Sequence, residues 1–121
     1  MPQLHLEYSA NLSGLNADVA LLRLNHALVA SGQFAAEHDI KSRAVQHQTF
    51  RVGTGMGERG FIHVKLAMLS GRSPAVKKQL SENLLAVVQD LYEWPADIAV
   101  QLCVEILDID RESYSKVAIN F

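Results

Sequence analysis

The chain is 121 residues long, 49% hydrophobic and 20% charged, which fits one compact core and excludes long disorder or a two-domain layout. Eleven Lys and Arg against 13 Asp and Glu give a formal charge of -2, leaving no broad basic surface for nucleic acid or an anionic membrane. Cys103 stands alone and cannot close an internal disulfide, and MPQLHLEYSA lacks the n- and h-regions of a signal peptide, so a cytoplasmic location is expected.

Gln3 to Tyr8 alternates polar and apolar, with Leu4, Leu6 and Tyr8 on one face, and predicts a short half-buried strand. Leu15, Val19, Leu22, His26 and Val29 follow at helical spacing, widened by Leu21, Leu24 and Leu28, and Ser31-Gly32 is a stop signal. Ile40 to Val52 reads as extended, with Lys41 and Arg43 sharing one face. The glycine-rich stretch from Gly53 to Gly60 predicts a mobile turn, placed near a substrate entrance. FIHVKLAML then reads as a buried strand, with Ile62, Val64, Leu66 and Met68 inward.

Ser73-Pro74 is a strong helix start, a hydroxyl N-cap followed by proline at the first helical position. Val76, Leu80, Leu84, Val87 and Leu91 carry the apolar stripe to a stop at Trp94-Pro95. Ile98 to Ile109 is a second long strand, in which Cys103 reads as a small core residue. Residues 110–121 form a polar tail whose apolar tip, Val117, Ile119 and Phe121, is expected to pack on something.

Strand, helix, strand thus occurs in residues 2–52 and again in 60–108 of a single domain spanning 1–121. The fold class is α/β, with duplicated βαβ units, a four-stranded mixed sheet and two helices on one face. The last strand is apolar on both faces, so the open side of the sheet needs a cover, and a second copy of the chain is the economical one.

Three features bear on chemistry. Pro2 becomes a free secondary amine if Met1 is removed, and such an amine is a base once desolvation or nearby cations lower its pKa; equally, proline at a strand start is structurally ordinary. Gly71-Arg72-Ser73-Pro74 puts a guanidinium at the mouth of a helix, a natural seat for a carboxylate, although arginines there are often merely solvated. Lys41 and Arg43 add cationic contacts if their strand face lines the same pocket. The literal G-x-G-x-x-G match at Gly55 to Gly60 is followed by a strand where a dinucleotide site requires a helix, so that reading fails. The histidines show no ligand spacing and only one Cys is present, so no metal is expected.

Met1-Pro2 together with GRSPAVKKQL resembles the tautomerase superfamily. Within it the chain length, Ala30-Ser31-Gly32-Gln33-Phe34, Ile40-Lys41-Ser42-Arg43 and Phe61-Ile62-His63-Val64 are most similar to the 5-carboxymethyl-2-hydroxymuconate isomerases. The resemblance implies a cofactor-free homotrimer that moves a proton within a conjugated hydroxy-polycarboxylate of aromatic degradation. Pro2 would be the base, Arg72 would hold a carboxylate, and Lys41 or Arg43 would be the second cation. The family pattern is Ile-Arg-Ser-Arg, so Lys41 departs from it, keeping the charge but losing the planar fork. Alternatives within the same fold are a hydratase, a dehalogenase, or a non-catalytic trimeric binding or scaffold domain.

Overall fold

The computed structural model describes residues 1–121 in the order β1 (Gln3–Ser9), α1 (Ala17–Ala30), a 3-10 turn (Glu37–Asp39), β2 (Lys41–His47), β3 (Arg59–Leu69), α2 (Pro74–Gln89) and β4 (Ala99–Ile109). The strands form one four-stranded sheet in the order β2-β1-β3-β4. β1 runs parallel to β2, β3 runs parallel to β4, and the two pairs meet antiparallel between β1 and β3. Two βαβ units therefore lie side by side, with their helices packed against one face of the sheet. No helix is long and apolar enough to cross a membrane.

The core follows from strand alternation. Leu4 and Leu6 of β1 and Ile62, Val64, Leu66 and Met68 of β3 are fully buried beneath the helices. Each such side chain contributes about 1.5–3 kcal/mol of burial. Helix α2 begins as its sequence requires: the Ser73 hydroxyl accepts a hydrogen bond from the Val76 N–H at 3.2 Å, with Pro74 next in line. It ends at Gln89, short of the expected Trp94-Pro95. Arg23 of α1 donates to the Asp90 carbonyl at 3.1 Å and to its carboxylate at 2.8 Å, while Trp94 Nε1 donates to the Gln89 carbonyl.

Helix α1 buries only part of the expected stripe, keeping Leu24 and Leu28, with Leu15 buried just ahead of it. Ala20, Leu24 and Leu28 are fully buried, whereas Val19, Leu22 and Val29 are exposed by 48%, 59% and 45%. Apolar residues cover so much of this helix that spacing defines the period without the phase, and small Ala20 sits where the helix packs against the core. Asn16 caps its start, accepting from the Val19 N–H at 3.1 Å, and Gly32 at φ +74° ends it.

The expected strand from Ile40 to Val52 is shorter. It stops at His47 because its partner β1 stops at the paired residue Ser9. The following glycine loop is filled by the Arg59 side chain, which donates to the Val52 carbonyl at 3.1 Å. A Cβ at Gly55 would lie 2.5 Å from the same guanidinium. Cys103 faces the uncovered side of the sheet and is exposed, not in the core. That side also carries His63 paired with Glu105 at 2.9 Å and Arg43 bonded to His5 at 2.8 Å.

Candidate active site

The strand directions gather four chain segments at one end of the sheet. Gln3 pairs with Lys41 and with Ala67, so Pro2 lies beside the start of β2 and the end of β3. Parallel pairing of β3 with β4 through Leu69 and Ile109 brings the start of the tail to the same place. The glycine loop lies at the opposite end, because β3 runs antiparallel to β1, so it stands away from the Pro2 of its own chain.

Pro2 is fully buried, and its carbonyl accepts a hydrogen bond from the Lys41 N–H at 3.2 Å. A cleft of about 220 Å³ opens over it, lined by Met1, Pro2, Phe34, Asp39, Arg72 and Arg111 among others. Arg72 is held rigidly: one terminal nitrogen donates to the Leu69 carbonyl at 3.1 Å, the other to the Gln33 carbonyl at 2.7 Å. Its guanidinium lies over the Phe34 ring, 5.0 Å from the centroid. One hydrogen on each terminal nitrogen, and Nε–H, stay free for a guest.

Lys41 lies alongside rather than in the cleft. It lines a neighbouring pocket with Asp39, Lys116 and the tail residues Val117, Ile119 and Phe121, and its ammonium donates to the Asp39 carbonyl at 2.5 Å. Burial, then the Lys116 cation, pushes its pKa down; Asp39 opposes and Arg43 adds slightly to the lowering. Arg43 points to the uncovered side of the sheet, with its two terminal nitrogens engaged by His5 and by Gln3 at 2.5 Å, so it is not part of this cleft.

The electrostatics favour a neutral amine at this end of the sheet. Burial, followed by the Lys41 and Arg72 cations, holds the Met1 amine below its ordinary range; Asp39 opposes and Lys116 adds a smaller push downward. Asp39 is itself engaged. Lys116 donates to its carboxylate at 2.5 Å and holds its pKa down, so the one acid lining the cleft is neutralised by a tail residue.

Asp39, Arg111 and Lys116 were not apparent as site residues from sequence. The sequence marks residues 110–121 only as a polar tail with an apolar tip, and Arg111 enters the cleft, and Lys116 meets Asp39, through tertiary contacts alone. Its apolar tip lies against the 3-10 turn, with Phe121 stacked on His38 at 5.0 Å, yet Val117, Ile119 and Phe121 stay 81%, 72% and 85% exposed.

A strand-start proline under a cationic cleft, at one end of paired βαβ units, defines a tautomerase-like protein, and solved structures agree. Over 96% of this chain and 88% of the other, a 5-carboxymethyl-2-hydroxymuconate isomerase from Deinococcus radiodurans R1 superposes with a TM-score of 0.86 at 28% identity. A 5-carboxymethyl-2-hydroxymuconate delta-isomerase gives 0.76 at 20% identity over 99% of this chain and 89% of that one. A fused 4-OT wild-type symmetric trimer gives 0.69 at 16% identity over 95% and 93%. No curated protein sequence matches significantly. The family model described as 5-carboxymethyl-2-hydroxymuconate isomerase matches residues 2–120, so the chain belongs to that family and is an isomerase.

Proposed function

We propose that this isomerase moves a proton within a conjugated hydroxy-polycarboxylate resembling 5-carboxymethyl-2-hydroxymuconate, with Pro2 as the base once Met1 has been removed. The observation that carries this reading is the cleft that Pro2 and Arg72 share, with Lys41 alongside. While Met1 is attached, the Pro2 nitrogen is an amide and has no basic lone pair. Its release creates a secondary amine one residue deeper than the Met1 amine, beneath the same cations that already lower the latter's pKa.

The neutral amine takes the proton of the 2-hydroxyl. The O–H electron pair becomes the carbonyl π bond, the diene electrons shift along the chain, and the prolinium returns the proton to the terminal carbon of the conjugated system. Charge on the intermediate dienolate is met by Arg72, whose orientation is set before substrate arrives by the Leu69 and Gln33 carbonyls. Lys41 supplies the second cation. As an ammonium it attracts a carboxylate without the bidentate geometry of a guanidinium.

We further read the working unit as a homotrimer, closed over the uncovered face of the sheet. Exposed Leu107 and Cys103 on that face support this, as does the trimeric state of the 4-OT relative of the same fold.

Intact mass of untagged protein, paired with a spectrophotometric enol-ketonisation assay on wild type and Pro2→Ala, tests the mechanism. Loss of Met1 together with collapse of activity in the variant is the expected result. A free Pro2 whose replacement leaves turnover unchanged overturns the assignment of the base.

A further inference from the structure

We propose that Arg111, contributed by the C-terminal tail, is a specificity-determining residue that binds a second carboxylate of the substrate, remote from the reacting carbon. This rests on the reading of the Pro2 cleft as the active site. Arg111 and Arg72 line the same cleft and are anchored on consecutive carbonyls of one loop. Arg72 donates to Leu69, and Arg111 donates through Nε to Ser70.

The anchoring is built into the chain. Ser70 N–H donates to the Ile109 carbonyl at 2.9 Å, continuing the pairing past the end of β4. Asp110 then folds the tail into a turn, its carboxylate accepting from the Glu112 N–H at 3.1 Å and from the Ser113 hydroxyl at 3.2 Å. The turn directs Arg111 back across Ser70 and Gly71. Gly71 adopts φ +124°, and a Cβ there would meet the Arg111 Nε at 3.5 Å. With Nε committed to the backbone, both terminal nitrogens of Arg111 are left as a fork matched to a carboxylate.

Neither guanidinium has an acidic partner. The ion pairs of the chain involve Arg23, His47, His63, Lys77, Lys78 and Lys116, and Asp39, the acid in the cleft, belongs to Lys116. Two unpaired guanidiniums facing one small cleft repel each other, and a dianion relieves that repulsion. Arg72 is among the cations that lower the pKa of the N-terminal amine, and Arg111 comes from the tail on the other side of the loop of residues 69–71, so Arg72 is assigned the reacting end and Arg111 the far end.

The test uses binding, which needs neither turnover nor Met1 removal. Affinities of adipate and of its monomethyl ester are measured by NMR titration on wild type, Arg111→Gln and Arg51→Gln. Arg51 is an exposed arginine beyond the end of β2, at the opposite end of the sheet, and controls for simple loss of charge. Wild type and Arg51→Gln are expected to bind the diacid about 10- to 100-fold more tightly than the half-ester, and Arg111→Gln to lose that preference. A preference that survives Arg111→Gln, disappears equally in Arg51→Gln, or is absent from wild type overturns the proposal. Because these outcomes do not depend on catalysis, failure of Pro2 as the base and failure of Arg111 as a carboxylate site are separately visible.

Discussion

Replacing Arg72 with alanine separates a catalytic guanidinium from one that merely braces a loop. The side chain bridges the Leu69 and Gln33 carbonyls at 3.1 and 2.7 Å and covers the Phe34 ring. Losing two half-buried hydrogen bonds at about 1 kcal/mol each and a cation–π contact of about 0.5–1 kcal/mol costs about 2.5–3 kcal/mol of stability. Urea unfolding reads that loss directly. Loss of a preorganised positive group facing the developing charge removes about 100- to 1000-fold from kcat/KM. The pH profile carries the sharper signature. On the proposed mechanism activity requires a neutral Pro2 amine, so kcat/KM is expected to rise with pH through that amine's pKa. Burial, Lys41 and Arg72 hold down the neighbouring Met1 amine and are expected to act on a freed Pro2 in the same direction. Without Arg72 the Pro2 pKa is expected to rise and the ascending limb to move to higher pH. Arg72→Lys restores the charge without the fork, so it is expected to return the limb toward wild type while leaving much of the rate deficit. If Arg72→Ala loses stability but keeps both the rate and the position of the limb, the guanidinium is only a brace and the electrostatic argument is wrong.

The tail offers a second perturbation, since hydrogen bonding from Lys116 is the main reason that the Asp39 pKa is lowered. A carboxylate with a depressed folded-state pKa adds stability above its unfolded pKa and loses it as pH falls through the folded value. Lys116→Met is therefore expected to raise the Asp39 pKa in a carbon-detected NMR titration and to narrow the stability gap between neutral pH and strong acid; an unchanged titration would show that the pair does not persist in solution. At the helix start, Ser73→Ala removes the acceptor for the Val76 N–H. It should cost about 1 kcal/mol in chemical denaturation, and a null result there would mean that water replaces the cap without loss.

Much of this protein is readable from local pattern. Strict alternation in FIHVKLAML identifies the four inward side chains of β3, and Ser73-Pro74 marks the start of α2 to the residue, because both signals depend only on neighbours along the chain. The duplicated strand–helix–strand order likewise implies two parallel pairs. Pro2 and Arg72 stand out as candidates because a secondary amine at a chain start and a guanidinium at a helix mouth have chemistry visible in their residue types.

What depends on partners distant in sequence was not visible there. The buried face of α1 was settled by packing, since Val19, Leu22 and Val29 fit the helical period as well as Ala20, Leu24 and Leu28 do. β2 stops where β1 has no more backbone to offer, a limit set by pairing and not by composition. The glycine loop that reads as mobile is occupied by Arg59. Lys41 and Arg43 share a strand face, yet one adjoins Pro2 and the other is engaged by His5 and Gln3, because they occupy different levels along β1. Arg111, which lines the Pro2 cleft, and Lys116, which pairs with Asp39 at its edge, follow more than a hundred residues after Pro2 and come there only because parallel β4 ends beside the end of β3. Residue types and local periodicity thus determined the elements and the reactive candidates, while the cationic environment that gives those candidates a common site was decided by strand order and direction.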